Sequence, residues 1–337
     1  MLLQDIWFFL WGLLWALYFA TDGFDLGVGV LLPILGKTDE QRRLMYNAIG
    51  PLWNGNEVWL ISAGGVTFAA FPLLYSIMFS SLYSALMLIL FGLILRGVAV
   101  ELRGKASSLS AKERWDWVFF FGSLLPAILF GAAFGNIFKG LPIDEKGLYQ
   151  GSIFTLLNPY GLITGVLFLL MFMLHGSLWL GMRIKGNVQI FFGIAKKLWN
   201  IFLVVLIIFL ILTPFFTNLL KNYLNSFVLS LEPILAIVFL LLIRFYIQKK
   251  DAFKAWVCSF LTIVLLTFFG IIGLYPNMFI SSIDSKYSLT AYNTSSSPLT
   301  LKIMLIVVIL FVPIVLLYQG WAYKLFKAPI TDNDFEY

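Results

Sequence analysis

The sequence predicts an all-α integral membrane protein, and two observations support that class. Of its 337 residues, 61% are hydrophobic and only 12% are charged, whereas a soluble domain carries about 25% charged residues. Apolar stretches of roughly 20 residues, the length that crosses a bilayer as a helix, also recur along the chain, and no segment alternates like a membrane β-barrel. The composition excludes a soluble enzyme, a nucleic-acid-binding module and a disordered chain.

Nine apolar stretches are predicted to cross the membrane in a single polytopic domain, residues 1–337. They lie at about residues 6–34, 51–71, 75–100, 115–138, 159–182, 198–219, 231–247, 254–275 and 300–323. The first is too long for a signal peptide and has Asp5 where such a peptide is basic. Two longer connections, residues 139–158 and 276–299, are predicted to fold over the outer surface.

The basic residues predict the orientation of the helices. Seventeen of the 23 Lys and Arg residues lie on the face reached after the odd-numbered spans, five lie on the opposite face, and Arg96 lies within a span. Because basic loops stay in the cytoplasm, we expect the N-terminus outside and the C-terminus in the cytoplasm. The inner set is Lys37, Arg42, Arg43, Arg103, Lys105, Lys112, Arg114, Arg183, Lys185, Lys196, Lys197, Arg244, Lys249, Lys250, Lys254, Lys324 and Lys327.

The metal chemistry open to this chain is limited by its single cysteine, Cys258, and its single histidine, His175. One histidine cannot supply the two imidazoles of a bis-histidine haem or the usual ligands of a zinc site. We therefore expect no metal to be held by this chain alone. For His175 a hydrogen-bonded position in the core is favoured over a role as a ligand.

Ionisable residues inside a membrane span are costly and mark functional positions by default. The candidates are Asp22 and Asp25 in the first span, Glu57 in the second, Arg96 in the third and His175 in the fifth. Counting along the helices puts the first four at a similar depth near the inner face, and we expect Asp25 to pair with Arg96. Two interpretations stay open: a buried ion pair that fixes helix register, and a proton entry from the cytoplasm.

The residues around these positions predict close packing. Gly23 and Gly27 are four apart, which lets another helix backbone approach. The second span opens with a costly mixture for a lipid environment, namely Trp53, Asn54, Asn56, Glu57 and Trp59. A simple interfacial anchor made by these tryptophans and amides stays open as the alternative.

Long segments of the sequence resemble subunit II of the cytochrome bd quinol oxidases. The segments are TDGFDLGVG, RRLMYNAIGPLWNGNEVWLISAGGVTFAAFP, ILRGVAVELRGK, WDWVFFFGSLLPAILFGAAFGNIFKGLP, LLNPYGLITGV, SLTAYNTSSSPLTLKIM and VPIVLLYQGWAYKLF. The resemblance covers nearly the whole chain and is strongest over the first 180 residues.

This resemblance implies a terminal respiratory oxidase of a bacterial or archaeal cytoplasmic membrane, which oxidises a membrane quinol and reduces O2 to water. In that family two b haems, the d haem and the quinol site lie in subunit I. Subunit II carries no haem and packs against it with a related nine-helix fold built on four-helix bundles. Protons are taken from the cytoplasm without pumping, and this contributes to the proton motive force.

By position, Asp25 matches the family's buried aspartate on a proton path and Arg96 matches its arginine in the third span. Trp53, Asn56 and Trp59 match the signature of the second span. Some members have aspartate where this chain has Asn54 and a neutral residue where it has Glu57. Since an amide cannot exchange a proton as a carboxyl group does, either Glu57 takes that role or the path uses Asp25 and water alone.

The candidate proton-path residues are therefore Asp25, Glu57, Asp22 and Asn54, and the supporting or packing residues are Arg96, Trp53, Asn56, Trp59, Gly23 and Gly27.

Two other functions stay open as alternatives: a proton-coupled secondary transporter and a purely structural subunit. The sequence leaves open the quinol used, the replacement of haem d by haem b, a small single-helix accessory subunit, and a bound structural quinone or lipid.

Overall fold

A computed structural model describes residues 1–185, 188–326 and 328–330; Lys327, one of the basic residues assigned to the inner face, lies outside them. The helices in these ranges are α1 Leu2–Leu35, α2 Asp39–Ile49, α3 Trp53–Ala70, α4 Pro72–Ser81, α5 Tyr83–Arg103, α6 Leu109–Lys139, α7 Pro159–Arg183, α8 Val188–Phe216, α9 Leu220–Asn225, α10 Phe227–Gln248, α11 Ala252–Leu274 and α12 Pro298–Leu325. Two short strands, β1 (Asn277–Phe279) and β2 (Leu289–Thr290), pair antiparallel with an irregular register.

Eight helices of the described chain are long and apolar enough to cross a membrane: α1, α5, α6, α7, α8, α10, α11 and α12. The all-helical membrane class is thereby confirmed. Helix α3 occupies the second predicted span but is not among the eight, because Asn54, Asn56 and Glu57 lower the hydropathy of its 18 residues. The count of nine spans depends on α3.

The third predicted span differs from the structure. In place of one helix over residues 75–100, α4 ends at Ser81 and α5 begins at Tyr83. The hydroxyl of Ser80 donates a 2.7 Å hydrogen bond to the carbonyl of Ser76, and back-bonding of this kind bends helices. Helix α8 also begins well before residue 198, the predicted start of the sixth span.

Helix α2 was not predicted, since its 11 residues are too polar to resemble a membrane span. Thr38 forms a capping box with Gln41, which satisfies free N–H groups at the helix start. The C-terminal half of α2 is buried, and Trp179 of α7 donates a 2.9 Å hydrogen bond to the carbonyl of Ala48. These contacts attach α2 to the helix bundle.

Helix α1 is the centre of the fold. Every residue from 18 to 32 is buried, and α1 packs against α3, α6, α7 and α11. A Cβ atom at Gly27 would overlap the backbone carbonyl of Phe172 on α7, and one at Gly23 would lie 2.6 Å from the ring of the same residue. The close packing predicted from Gly23 and Gly27 is confirmed, and it brings α7 directly against the C-terminal half of α1.

The two long connections lie together at one end of the bundle. The backbone N–H of Leu141 donates to Ile280, the N–H of Ser282 donates to Leu141, and the Ser281 hydroxyl donates to Ile143, at 2.7–2.9 Å. Helix α12 follows the second connection and lies at the periphery, with Leu301 as its one buried residue in the described chain. Its N-terminal end is held by a 3.0 Å hydrogen bond from the Trp7 indole to the Leu301 carbonyl.

Candidate functional site

Three helices bring Asp22, Glu57 and Arg96 together inside the membrane region. Nη2 of Arg96 lies 2.7 Å from Oδ1 of Asp22 and 2.5 Å from Oε1 of Glu57. The side chains of Arg96 and Asp22 are at most 1% exposed, and that of Glu57 is 23% exposed. One guanidinium therefore bonds two carboxylates, and Glu57 is the member of the three that reaches the surface.

The expected pair of Asp25 with Arg96 is wrong. Asp25 is fully buried, but its Oδ2 accepts a 2.7 Å hydrogen bond from the amide nitrogen of Asn56. Asp22 takes the guanidinium instead. Because Asp22 and Asp25 are three residues apart and share one face of α1, the sequence pattern alone could not decide which of them faces α5.

Asn56 connects Asp25 to the peripheral helix α12. Its amide oxygen accepts hydrogen bonds from the Tyr323 hydroxyl at 2.7 Å and from Nε2 of Gln319 at 3.3 Å. The indole of Trp59 donates to Oε1 of Gln319 at 2.8 Å. The cluster formed by Asp22, Asp25, Asn56, Glu57, Arg96, Gln319 and Tyr323 is called the inner cluster below.

Sequence reasoning missed Gln319 and Tyr323. A signal was present, since the two are four residues apart in an apolar stretch and thus lie on one helix face. Polar side chains with that spacing in a membrane helix indicate a shared polar contact. Without the fold, nothing pointed to Asn56 as that contact.

Several polar atoms of this region are buried without a hydrogen-bond partner among the residues that the structure describes. They are Oδ1 of Asp25 and Nε and Nη1 of Arg96. Unpartnered buried polar atoms are costly and rare. Atoms of the same kind occur elsewhere in the described chain, at Arg183 and Glu232 for example, so the feature is not particular to this region.

The remaining predicted site residues fall into two groups. Trp53 and Trp59 are buried. The Trp53 ring packs closely on Gly97 of α5, since a Cβ atom added to this glycine would lie only 3.0 Å from the ring. Asn54 is exposed at the start of α3 and does not contribute to the inner cluster. The structure therefore brings Asp22, Asp25 and Glu57 to one site and leaves Asn54 outside it.

His175 occupies the hydrogen-bonded core position expected for it. Its Nδ1 lies 2.5 Å from the Ser259 hydroxyl, its Nε2 lies 3.0 Å from the Ala20 carbonyl, and its ring stacks on Trp256. Both ring nitrogens are therefore engaged, and the residue does not fit a haem ligand. Across the described ranges, no group of three or more His, Cys, Asp or Glu residues is placed to hold a metal ion.

A second ionic cluster, not predicted from the sequence, joins α2 to α5 and α6. Arg103 bonds Asp116 at 2.8 Å and Asp39 at 2.7 Å, Arg42 bonds Asp116 at 2.9 Å, and Lys112 bonds Asp39 at 3.2 Å. Partial burial alone would raise the pKa of Asp39, but the hydrogen bonds from Arg103 and Lys112 outweigh it and hold that pKa below its usual value. These contacts fix α2 next to the helix ends nearest the inner cluster.

Comparisons with known proteins agree over nearly the whole chain. The family model of cytochrome bd terminal oxidase subunit II matches residues 3–326. Cytochrome bd ubiquinol oxidase subunit 2 of Bacillus subtilis strain 168 is 34% identical over 335 residues, which cover 98% of each chain. Cytochrome bd-I ubiquinol oxidase subunit 2 of Escherichia coli K12 is 35% identical over 368 residues, covering 99% of this chain and 97% of that protein.

The fold has a counterpart among solved structures. A chain in the structure of bd oxidase from Geobacillus thermodenitrificans matches with a TM-score of 0.81, covering 97% of this chain and 99% of that one. At 12% sequence identity, this likeness concerns the arrangement of the helices alone.

Proposed function

The chain belongs to the family of cytochrome bd terminal oxidase subunit II, and from this premise we propose that it is the haem-free subunit of a respiratory quinol oxidase. The complex oxidises a membrane quinol and reduces O2 to water. Subunit I, its partner, holds two b haems, the d haem and the quinol site. The protons for water formation come from the cytoplasm, so the reaction is electrogenic without pumping. The complex lies in a bacterial cytoplasmic membrane; none of the relatives described above supports the archaeal alternative.

The proposed topology has nine spans, with α3 as the second and the N-terminus outside. An 18-residue helix is about 27 Å long, close to the thickness of the hydrocarbon layer. Two of the polar residues of α3, Asn56 and Glu57, bond groups on α1, α5 and α12, which lowers their cost in the membrane. The orientation rests on the uneven distribution of the basic residues along the sequence, to which the arginines and the lysine of the second ionic cluster contribute.

The inner cluster is proposed as part of the proton path. Three carboxyl groups, those of Asp22, Asp25 and Glu57, lie close to one guanidinium, which bonds Asp22 and Glu57 directly and acts on Asp25 only through its charge. If all three were ionised, uncompensated negative charge would lie in a medium of low dielectric constant, so the arrangement favours a proton held within the group. Glu57 is the partly exposed member and Asp25 the fully buried one. A proton would therefore enter at Glu57 and be held at Asp25.

The observation that supports this proposal most directly is the state of Asp25. One carboxyl oxygen is bonded to Asn56 and the other is buried without a partner among the described residues. The main alternative is a purely structural subunit, for which the ion pair of Arg96 with Asp22 would only join α1 to α5. Membership of the oxidase family argues against an independent secondary transporter.

The test is Asp25→Asn in the complete complex, with Glu145→Gln, an exposed carboxylate of the outer connection, as the matched control. We expect oxygen consumption to fall by about tenfold or more, because an amide cannot carry the proton. The haem spectrum and co-purification with subunit I should stay unchanged. Unchanged turnover would remove Asp25 from the proton path and leave the structural role.

A further inference from the structure

Helix α12 is exposed along most of its length, yet two side chains near its inner end reach the inner cluster. We propose that Tyr323 and Gln319 are positioning residues for Asp25: they hold Asn56 in the orientation in which its amide nitrogen, and not its oxygen, faces the carboxyl group. This inference rests on the proposed proton path and assigns the residues that control one of its groups.

The direction of each hydrogen bond follows from the chemistry of the side chains. An indole N–H can only donate, so the atom of Gln319 that faces Trp59 must be its oxygen, at 2.8 Å. The nitrogen of Gln319 then points to Asn56, where the facing atom must accept and is therefore the amide oxygen, at 3.3 Å. Trp59 thereby sets the direction of the whole chain of hydrogen bonds.

Tyr323 strengthens the same orientation. Its hydroxyl lies 2.7 Å from Oδ1 of Asn56 and donates to it, so two donors from α12 converge on one acceptor. The nitrogen of Asn56 is left to donate to Oδ2 of Asp25, also at 2.7 Å. Because Oδ2 is occupied by a donor, Oδ1 of Asp25 is the oxygen left to bind and release a proton.

The orientation of Asn56 decides which form of Asp25 it stabilises. An N–H donor stabilises a carboxylate, whereas an amide oxygen in the same place would accept a hydrogen bond from the protonated acid. Loss of the donors on α12 would allow the side-chain amide of Asn56 to rotate, so that its oxygen and nitrogen exchange places. The other charged or titratable groups that face Asp25 are Asp22 on α1, Glu57 on α3 and Arg96 on α5, together with Tyr323 itself on α12.

The test compares Tyr323→Phe with Tyr318→Phe in the complete complex. Tyr318 is on the same helix but 66% exposed, and it contacts Trp321 and not the inner cluster. We expect Tyr323→Phe to slow oxygen consumption by about threefold or more. The alkaline limb of its pH profile should also move upward by about half a unit to one unit. That is the effect of replacing one hydrogen bond to the carboxylate by one from the protonated acid. Trp59→Phe, which removes the donor that orients Gln319, should move the profile in the same direction. Tyr318→Phe should behave as the unmodified complex.

The results separate this inference from the function on which it rests. If Asp25→Asn leaves turnover unchanged, the proton path itself is wrong. If Asp25→Asn slows turnover but Tyr323→Phe keeps the original pH profile, the positioning role is refuted and Tyr323 is only structural. This conclusion holds even if the Tyr323→Phe variant yields less assembled complex. In the Asp25→Asn background, Tyr323→Phe should cause no further change of the profile; an additional shift would also contradict the proposal.

Discussion

The guanidinium of Arg96 lies 2.7 Å from the carboxylate of Asp22, and both side chains are at most 1% exposed. Burying two charges is costly, and their attraction offsets that cost only while both are present. The same guanidinium also contacts Glu57, so the junction of α1, α3 and α5 depends on a single cation.

Replacing this cation should therefore destabilise the subunit. We expect Arg96→Met to lower the free energy of unfolding by about 3–5 kcal/mol, since two carboxylates would be left without compensation. The yield of assembled complex and its thermal denaturation would measure the loss. Arg114→Met, which removes an exposed arginine of α6, is the control. Equal stability of the two variants would show that the ion pair contributes little.

Glu57 and Asn54 can be distinguished by substitution. We expect Glu57→Gln to slow oxygen consumption by about tenfold, because Glu57 is the partly exposed carboxyl group of the inner cluster. Adding Asn54→Asp should restore little activity, since Asn54 is exposed and outside the cluster. Recovery of the rate in the double variant would place the proton entry at position 54 instead.

The contact of α1 with α7 should tolerate no side chain at Gly27. A methyl group there would overlap the Phe172 carbonyl, so Gly27→Ala should separate the two helices and lower stability by about 1–3 kcal/mol or more. Gly65 on α3 has no atom within 4 Å of an added Cβ, and Gly65→Ala should be neutral or slightly stabilising. Thermal denaturation of both variants tests this contrast; a neutral Gly27→Ala would refute it.

The docking of α2 should weaken in acid. The pKa of Asp39 lies below its unfolded value of about 3.9, so its contribution to stability is complete above that pH and is lost as the pH falls through the lower folded value. Hydrogen exchange of residues 39–49, corrected for the intrinsic pH dependence of the amides, should accelerate over that range.

Asp39→Asn should exchange faster already at neutral pH and lack the acid-dependent change. Its matched control is Glu40→Gln, which removes the exposed neighbouring carboxylate and should behave as the unmodified protein. Full protection of α2 in Asp39→Asn at neutral pH would show that Arg103 and Lys112 do not hold α2 through this residue.

Local features of the sequence were sufficient for the helical class, for most helix positions and for the contact at Gly23 and Gly27. The reason is that backbone groups in the membrane must form their hydrogen bonds within each helix. A long apolar run that crosses the membrane therefore has to be a helix. The same local reasoning failed at α2, whose residues are polar, and at Leu82, where a continuous apolar run is divided between α4 and α5.

The sequence alone was enough to predict a similar depth for Asp22, Asp25, Glu57 and Arg96, because depth follows from counting residues along helices. The tertiary structure decided their partners. Asp22 and Asp25 share a helix face, and only the placement of α5 and α3 assigns Arg96 to one and Asn56 to the other. Tyr323 reaches Asn56 across 267 residues of chain. No local pattern contains that contact, because it depends on how separate helices pack.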